Sequence, residues 1–258
     1  MRIATWNVNS LNVRLPHVLE WLSEAKPDLL CLQETKIDDE RFPRELIEFA
    51  GYRVIYAGQK SYNGVAILSR NPAADVVTDL PGLDDSQRRV LGATFATDVG
   101  EVRVLDLYVP NGQAVGVDKY VYKLEWLARL RDYLAEQVAK YPRLVVVGDF
   151  NIAPADLDVY DPDGWRGGIL CSDAERDALD SVLDLGLSDL FRRFHDQGEC
   201  FSWWDYRGNM FAANRGLRID LILTSAALDA AAKDCRIDTV PRAWARPSDH
   251  TPVVADFA

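Results

Sequence analysis

Hydrophobic positions along this chain follow two rhythms, a period of two and a period near 3.6, and the switches between them mark its elements. Arg2–Val8 alternates and predicts a strand ending in Asn7-Val-Asn9. Leu15, Val18, Leu19 and Leu22 keep helical spacing, with Pro16 near the helix start and Pro27 as its stop. Asp28–Glu34 reads as a second strand closing on a carboxylate, and Pro43–Phe49 as a short helix ended by Gly51. Strands are expected at Tyr52–Ala57, Gly64–Ser69, Asp75–Leu80, Val90–Ala96 and Val102–Val109, joined by Gly, Asn, Pro and Asp turns as in an antiparallel run.

Asp118–Tyr141 is the longest helix candidate. Tyr120, Leu124, Leu127, Leu134 and Val138 form its apolar face, and Glu125, Arg129, Arg131 and Glu136 face solvent. Next comes Leu144–Pro154, the stretch on which the chain is organised. Its four apolar residues, three of them β-branched, predict a strand buried on both faces. Gly148 breaks the run and delivers Asp149 and Asn151 at the strand's C-terminal end, on one face by alternation. A loop at Pro154–Gly168, a helix at Asp173–Leu185, an aromatic segment at Phe201–Tyr206 and strands at Ile219–Thr224, Arg236–Val240 and Pro252–Phe257 complete the chain. No repeat, low-complexity tract or linker interrupts it, so one domain over residues 1–258 is expected. Runs of strands with helices inserted predict two packed mixed sheets with helices outside.

A composition of 48% hydrophobic and 27% charged residues is that of a globular chain able to bury a sizeable core. No window has the length of a membrane span and no apolar leader opens the chain, so a cytoplasmic protein is expected. Cys31, Cys171, Cys200 and Cys235 lie far apart without paired metal-ligand spacing, which favours reduced thiols over a disulfide framework. The net charge of −11 counts against bulk attraction to nucleic acid, although a local basic patch or a metal-bridged phosphate is compatible with it.

Several strand ends carry polar groups suited to one site: Asn7, Glu34, Tyr108, Asp149 with Asn151, Asp220, and Asp249-His250. Sheets hold such positions better than loops do. Oxygen ligands such as Glu34 with Asp149 or Asp249 suit Mg²⁺ or Mn²⁺. Singly, each has an ordinary reading: a surface carboxylate for Glu34, a packed aromatic for Tyr108, an Asx turn for Asp149, a turn at Ser248-Asp-His250. Asp220 is harder to dismiss, because a carboxylate inside an apolar strand needs a partner. His17 and His195 read as structural or solvated.

Taken together, Trp6-Asn-Val-Asn9, Leu32-Gln-Glu-Thr-Lys36, Tyr108-Val-Pro-Asn111, Gly148-Asp-Phe-Asn151, Arg215-Gly-Leu-Arg-Ile-Asp220 and Ser248-Asp-His250 stand in the order and spacing of the exonuclease III family. That family is the bacterial DNA-repair branch of the deoxyribonuclease I-like superfamily. Phe201-Ser-Trp-Trp-Asp-Tyr-Arg207 also resembles it, and the resemblance covers nearly the whole chain. It implies a four-layered α/β sandwich and Mg²⁺- or Mn²⁺-dependent phosphodiester hydrolysis. By resemblance, Glu34 holds the metal with Asn7 and Asp249 close by, Asp149 and Asn151 lie at the metal as well as at the reacting groups, and Tyr108 contacts the phosphate. Asp220 orients His250, and Asp149 and His250 share the proton handling. Trp203, Leu217 and Ile219 match positions lining an apolar pocket for an abasic sugar, with ordinary core aromatics as the competing reading.

Backbone contacts to DNA are expected from Asn111, Arg166, Arg207 and Arg215, and also from Arg88, Arg89, Lys119 and Arg246, all in loop-like stretches. The expected activity is 3′→5′ exonuclease on duplex DNA and incision 5′ to abasic sites leaving a 3′-hydroxyl. The expected partner is double-stranded DNA, especially abasic or nicked, met by a monomer in the nucleoid-bearing bacterial cytoplasm without a membrane. Two other readings stand beside it: a phosphatase of the same superfamily acting on lipid or inositol phosphates, and a non-catalytic regulator on the same fold. The second would need altered metal and proton-handling positions, yet Glu34, Asp149, Asn151, Asp220 and His250 are all present.

Overall fold

The computed structural model describes residues 1–83 and 85–258. In chain order the elements are β1 Arg2–Asn7, α1 Leu11–Ala25, β2 Leu29–Gln33, α2 Arg44–Phe49, β3 Arg53–Ala57, β4 Val65–Ser69, β5 Ala73–Val77, β6 Val90–Thr97 and β7 Gly100–Tyr108. There follow α3 Asp118–Lys140, β8 Leu144–Asp149, α4 Pro162–Trp165, α5 Asp173–Leu183, β9 Leu187–Asp189, α6 Leu190–Phe194, β10 Asp220–Ser225, α7 Ala226–Ala231, β11 Ala232–Ile237 and β12 Val253–Phe257.

The strands form two six-stranded sheets, β11-β12-β1-β2-β4-β3 and β5-β6-β7-β8-β10-β9. Each is mixed, with one parallel pair at its centre, β1/β2 in the first and β7/β8 in the second. Parallel neighbours need a crossover connection, and α1 and α3 supply the two. The expected antiparallel run therefore divides: β3 and β4 stay in the first sheet and β5 to β7 begin the second.

Alternation along β8 explains the layering. Val145 and Val147 point into the core between the sheets, whereas Leu144 and Val146 point outward into a second core with Trp126, Leu127 and Leu130 of α3 and Leu179 of α5. On the other side, Ala4 and Trp6 of β1 pack outward with Val18, Trp21 and Leu22 of α1. The order of layers is helix, sheet, sheet, helix, the four-layered α/β sandwich that the resemblance implies.

Several boundaries differ from the pattern. The first helix begins at Leu11, so Pro16 lies inside it, where its missing N–H forfeits one bond to the carbonyl four residues back. Gly148 does not break β8; it has φ 143 within the strand, and a Cβ there would stand 1.9 Å from the Leu107 carbonyl oxygen. The edge strand β5 starts at Ala73 instead of Asp75, because a register shift between Ala74 and Val77 scrambles its alternation. A similar shift displaces β11 to Ala232–Ile237, and Val240 opens a 3₁₀ turn. On α3 Lys123 is as fully buried as Leu130 and Leu134, and Leu124 is only partly covered.

Candidate active site

The site forms where matching ends of the two sheets meet. Across the second sheet Asp149 is flanked by Tyr108 of β7 and Asp220 of β10, three polar side chains in one cross-strand row. From the first sheet come Asn7, the last residue of β1, and Glu34, one residue past β2. Asn7 Nδ2 joins the sheets, donating to Glu34 Oε1 at 2.8 Å and to Asp149 Oδ2 at 2.9 Å.

Backbone strain gathers here. Asn9, Glu34, Lys36 and Asn151 all have positive φ, between 41° and 53°. Asn tolerates that region, but Glu and Lys do not adopt it without help. Main-chain bonds hold Glu34 and its neighbours in place, from Ser10 N to Glu34 O at 2.8 Å and from Thr35 N to Gly64 O at 3.1 Å. The turn at Asn151 corrects one expectation. The strand ends at Asp149, so alternation does not set the direction of Asn151. An Asx turn does so, with Asn151 N donating to Asp149 Oδ1 at 2.9 Å and Asn151 Nδ2 lying 3.3 Å from Oδ2. The Asx turn of the bland reading is therefore present at this strand exit.

His250 is fixed by its Nδ1, 2.8 Å from Asp220 Oδ2, which leaves Nε2 facing Asp149 Oδ2 at 3.7 Å. Burial alone would push its pKa down, but the charges of Asp220 and Asp149 raise it, so the ring keeps its proton at neutral pH. Burial raises the Asp149 carboxyl against the pull of His250, with Asp220 and Glu34 adding to the rise. Burial, Glu34 and Asp149 also raise the Tyr108 phenol, which stays a neutral donor. Arg89 stacks on its ring at 4.7 Å.

Ligand-type atoms of Glu34, Asp149 and His250 lie within 4.8 Å of one another, and with His250 protonated the two carboxylates are the ones able to bind a cation. Two carboxylates at that separation suit a hard divalent cation. Asp249 stands one step away: its oxygens accept from Asn9 Nδ2 at 2.9 Å and Trp203 Nε1 at 3.1 Å. Burial works against its ionisation, but the His250 charge and these two donors hold its pKa low. The Asn151 side chain donates to Val109 O and accepts from Asn111 Nδ2, each at 3.0 Å, so it ties the Tyr108–Asn111 loop to Asp149.

The remaining expected positions behave differently. Leu217 and Ile219 are closed to solvent, packed with Val159, Leu170 and Cys171, and only Trp203 is partly open. Arg166 pairs with Asp163, Arg207 with Asp205, and Arg88 with Asp79, whereas Arg89 is buried and bonded to Gln87. Arg215, Arg246 and Lys119 are exposed. An open cavity of about 620 Å³ adjoins Tyr108 and Asn111, lined by Gln59, Tyr62, Gln87, Gln113 and Lys119. His17 lies edge-on to Trp244 and His195 bonds the Cys235 carbonyl, both away from the site. The sequence reading singled out neither Lys36, whose Nζ is 2.7 Å from Glu34 Oε2 and donates to Asn9 Oδ1 at 2.6 Å, nor the buried Lys123. Helical spacing from Tyr120 to Leu127 is the signal that places Lys123 on the inner face of α3.

The profile of the endonuclease/exonuclease/phosphatase family matches residues 4–250. An exodeoxyribonuclease III from Haemophilus influenzae is 37% identical, over the full length of both chains. A 3′ phosphatase from Neisseria, solved bound to a product DNA hairpin, is 49% identical with a TM-score of 0.97, covering 100% of this chain and 99% of its own. An AP endonuclease from Archaeoglobus fulgidus is 38% identical with a TM-score of 0.94 at the same coverage.

Proposed function

The chain belongs to the endonuclease/exonuclease/phosphatase family, in its exonuclease III branch, and on that premise we propose how this DNA-repair nuclease works. It acts as a 3′→5′ exonuclease on duplex DNA and as an endonuclease 5′ to abasic sites, leaving a 3′-hydroxyl. One observation carries the reading: Tyr108, Asp149 and Asp220 form a row on one sheet, and Asn7 and Glu34 meet it from the other.

In-line hydrolysis of a phosphodiester needs a base for water and donors for the charge that grows on the phosphate oxygens. Asp149, raised by burial and next to His250, takes the proton of the attacking water. His250, kept protonated between Asp149 and Asp220, serves as a charged donor to the phosphate, with the neutral Tyr108 hydroxyl beside it. This divides a role that the resemblance leaves to Asp149 and His250 jointly. Glu34 and Asp149, with Asn7 between them and Asp249 nearby, would hold Mg²⁺ or Mn²⁺. When bound, the cation would offset negative charge on the phosphate and lower the pKa of water. Asn111 and Asn151 orient the phosphate, and the open cavity beside them gives the strand room to approach.

A terminal 3′ phosphate presents the same oxygens to the same residues, so 3′-phosphatase activity belongs to the proposal. Abasic selection is assigned to Trp203, with Leu217 and Ile219 packed behind it. Arg207, Arg215 and Arg166 are the proposed backbone contacts. We place the protein as a monomer in the bacterial cytoplasm, and among the described residues no helix is long and apolar enough to cross a membrane. The test is a duplex oligonucleotide with one abasic analogue, incubated with Mg²⁺ or with EDTA. A nick 5′ to the lesion that vanishes with chelator is expected, and no incision by folded protein across several divalent ions would refute the reading.

A further inference from the structure

Among the described residues Lys123 is the one buried lysine, and its ammonium lies directly behind the active site. It projects from α3 and donates to Glu175 Oε1 of α5 at 2.5 Å, to Asn151 O at 2.6 Å and to Asn111 O at 3.3 Å. Glu175 in turn accepts from Leu170 N at 3.1 Å and from Ser172 Oγ at 2.7 Å. Both of the carbonyls that Lys123 gathers belong to residues whose side chains bond one another at the site, Asn111 Nδ2 to Asn151 Oδ1. A buried ion pair is a poor source of stability, since apolar residues of similar volume often serve as well or better. Such a pair earns its place by fixing geometry, and here two active-site loops converge on it.

We propose that Lys123 is a positioning residue for the nuclease reaction, clamping the main chain at Asn111 and Asn151 so that the bonded Asn111–Asn151 side-chain pair stays set against Asp149. The proposal rests on the nuclease reading. Steady-state cleavage of the abasic duplex with Mg²⁺ is compared for the parent, Lys123→Met/Glu175→Gln, Asn151→Ala and the triple variant. The paired variant removes both charges and is expected to stay folded, with kcat down at least about tenfold and KM within about twofold. In the Asn151→Ala background the same two changes should cost less than about threefold, because the residue through which Lys123 acts is gone. Equal losses in both backgrounds, or parental kcat in the folded paired variant, overturn the proposal.

If the paired variant does not fold, Lys123→Gln takes its place under the same criteria. Hydrogen exchange provides a second readout. Amides of residues 109, 111–113 and 150–153 should exchange at least about tenfold faster in the variant, and unchanged exchange overturns the clamp. A parent that cuts no DNA refutes the nuclease reading instead, and the exchange measurement still decides the clamp.

Discussion

Asp220 Oδ2 and His250 Nδ1 stand 2.8 Å apart, although 30 residues separate them in the chain. The contact turns the other ring nitrogen toward Asp149 and supplies the negative charge that keeps the imidazole protonated. Asp220→Asn preserves the shape and removes the charge. It is expected to lower kcat about 10- to 100-fold with little change in KM or melting temperature. Parental kcat in the folded variant would remove Asp220 from the mechanism.

Glu34 is the least buried of the three clustered groups Glu34, Asp149 and His250. A ligand that binds only the folded state raises its stability, so the parent should melt higher with Mg²⁺ or Mn²⁺ than with EDTA. Glu34→Ala should lose that rise together with about a hundredfold or more of the rate. Differential scanning fluorimetry across a metal titration, paired with the cleavage assay, measures both. A parental rate, or an undiminished metal-induced rise, contradicts the assignment.

Asp106 lies fully buried between the sheets and accepts from Gln33 Nε2 at 2.6 Å. Burial raises its pKa well above the carboxylate range, despite the opposing bond from Gln33. The folded state then holds a proton that the unfolded chain releases above its ordinary pKa of about 3.9. Stability must therefore fall as pH rises from there toward the raised native value. Asp106→Asn removes this term. The variant should melt above the parent at pH 7 to 8, by about 2–4 °C per kcal/mol, and the gap should narrow toward pH 4. A gap that does not depend on pH would show that Asp106 is already ionised in the fold.

Arg166 and Arg207 each carry an acidic partner within three residues, Asp163 and Asp205. With a net charge of −11 behind them, few cations remain to displace counterions from DNA. Duplex binding should therefore show a shallow salt slope, and Arg207→Ala should change that slope by less than about one. Fluorescence anisotropy across a salt series checks both. A steep slope would reveal a basic face formed by the exposed Arg215, Arg246 and Lys119.

Much of this protein is written locally. The apolar run Leu144–Val147, the alternation of Arg2–Asn7 and the amphipathic stretch Asp118–Lys140 specify strands and a helix through periods that depend only on neighbouring residues. The six spaced motifs likewise contain Asn7, Glu34, Tyr108, Asp149, Asn151, Asp220 and His250, each at or near the end of a strand. What pattern misses is short or irregular: β9, α6 and α7 are too brief to show a period, and bulges erase the alternation of β5 and β11.

Only the folded arrangement brings these groups together. Nothing near Asp149 in the chain reveals that Asn7 bridges it to Glu34, or that His250 is trapped between two carboxylates, since those contacts span 142 and 30 residues. Helical spacing puts Lys123 on the inner face of α3, but it does not name its three partners, which come from two loops and a second helix. The closure of Leu217 and Ile219 is of the same kind, imposed by packing against Val159, Leu170 and Cys171. Periodicity is a property of neighbours in the chain, whereas pKa shifts, ion pairing and access to a pocket depend on neighbours in space. The chain alone therefore determined which residues stand at the strand ends, and packing of one sheet on the other decided what those residues are able to do.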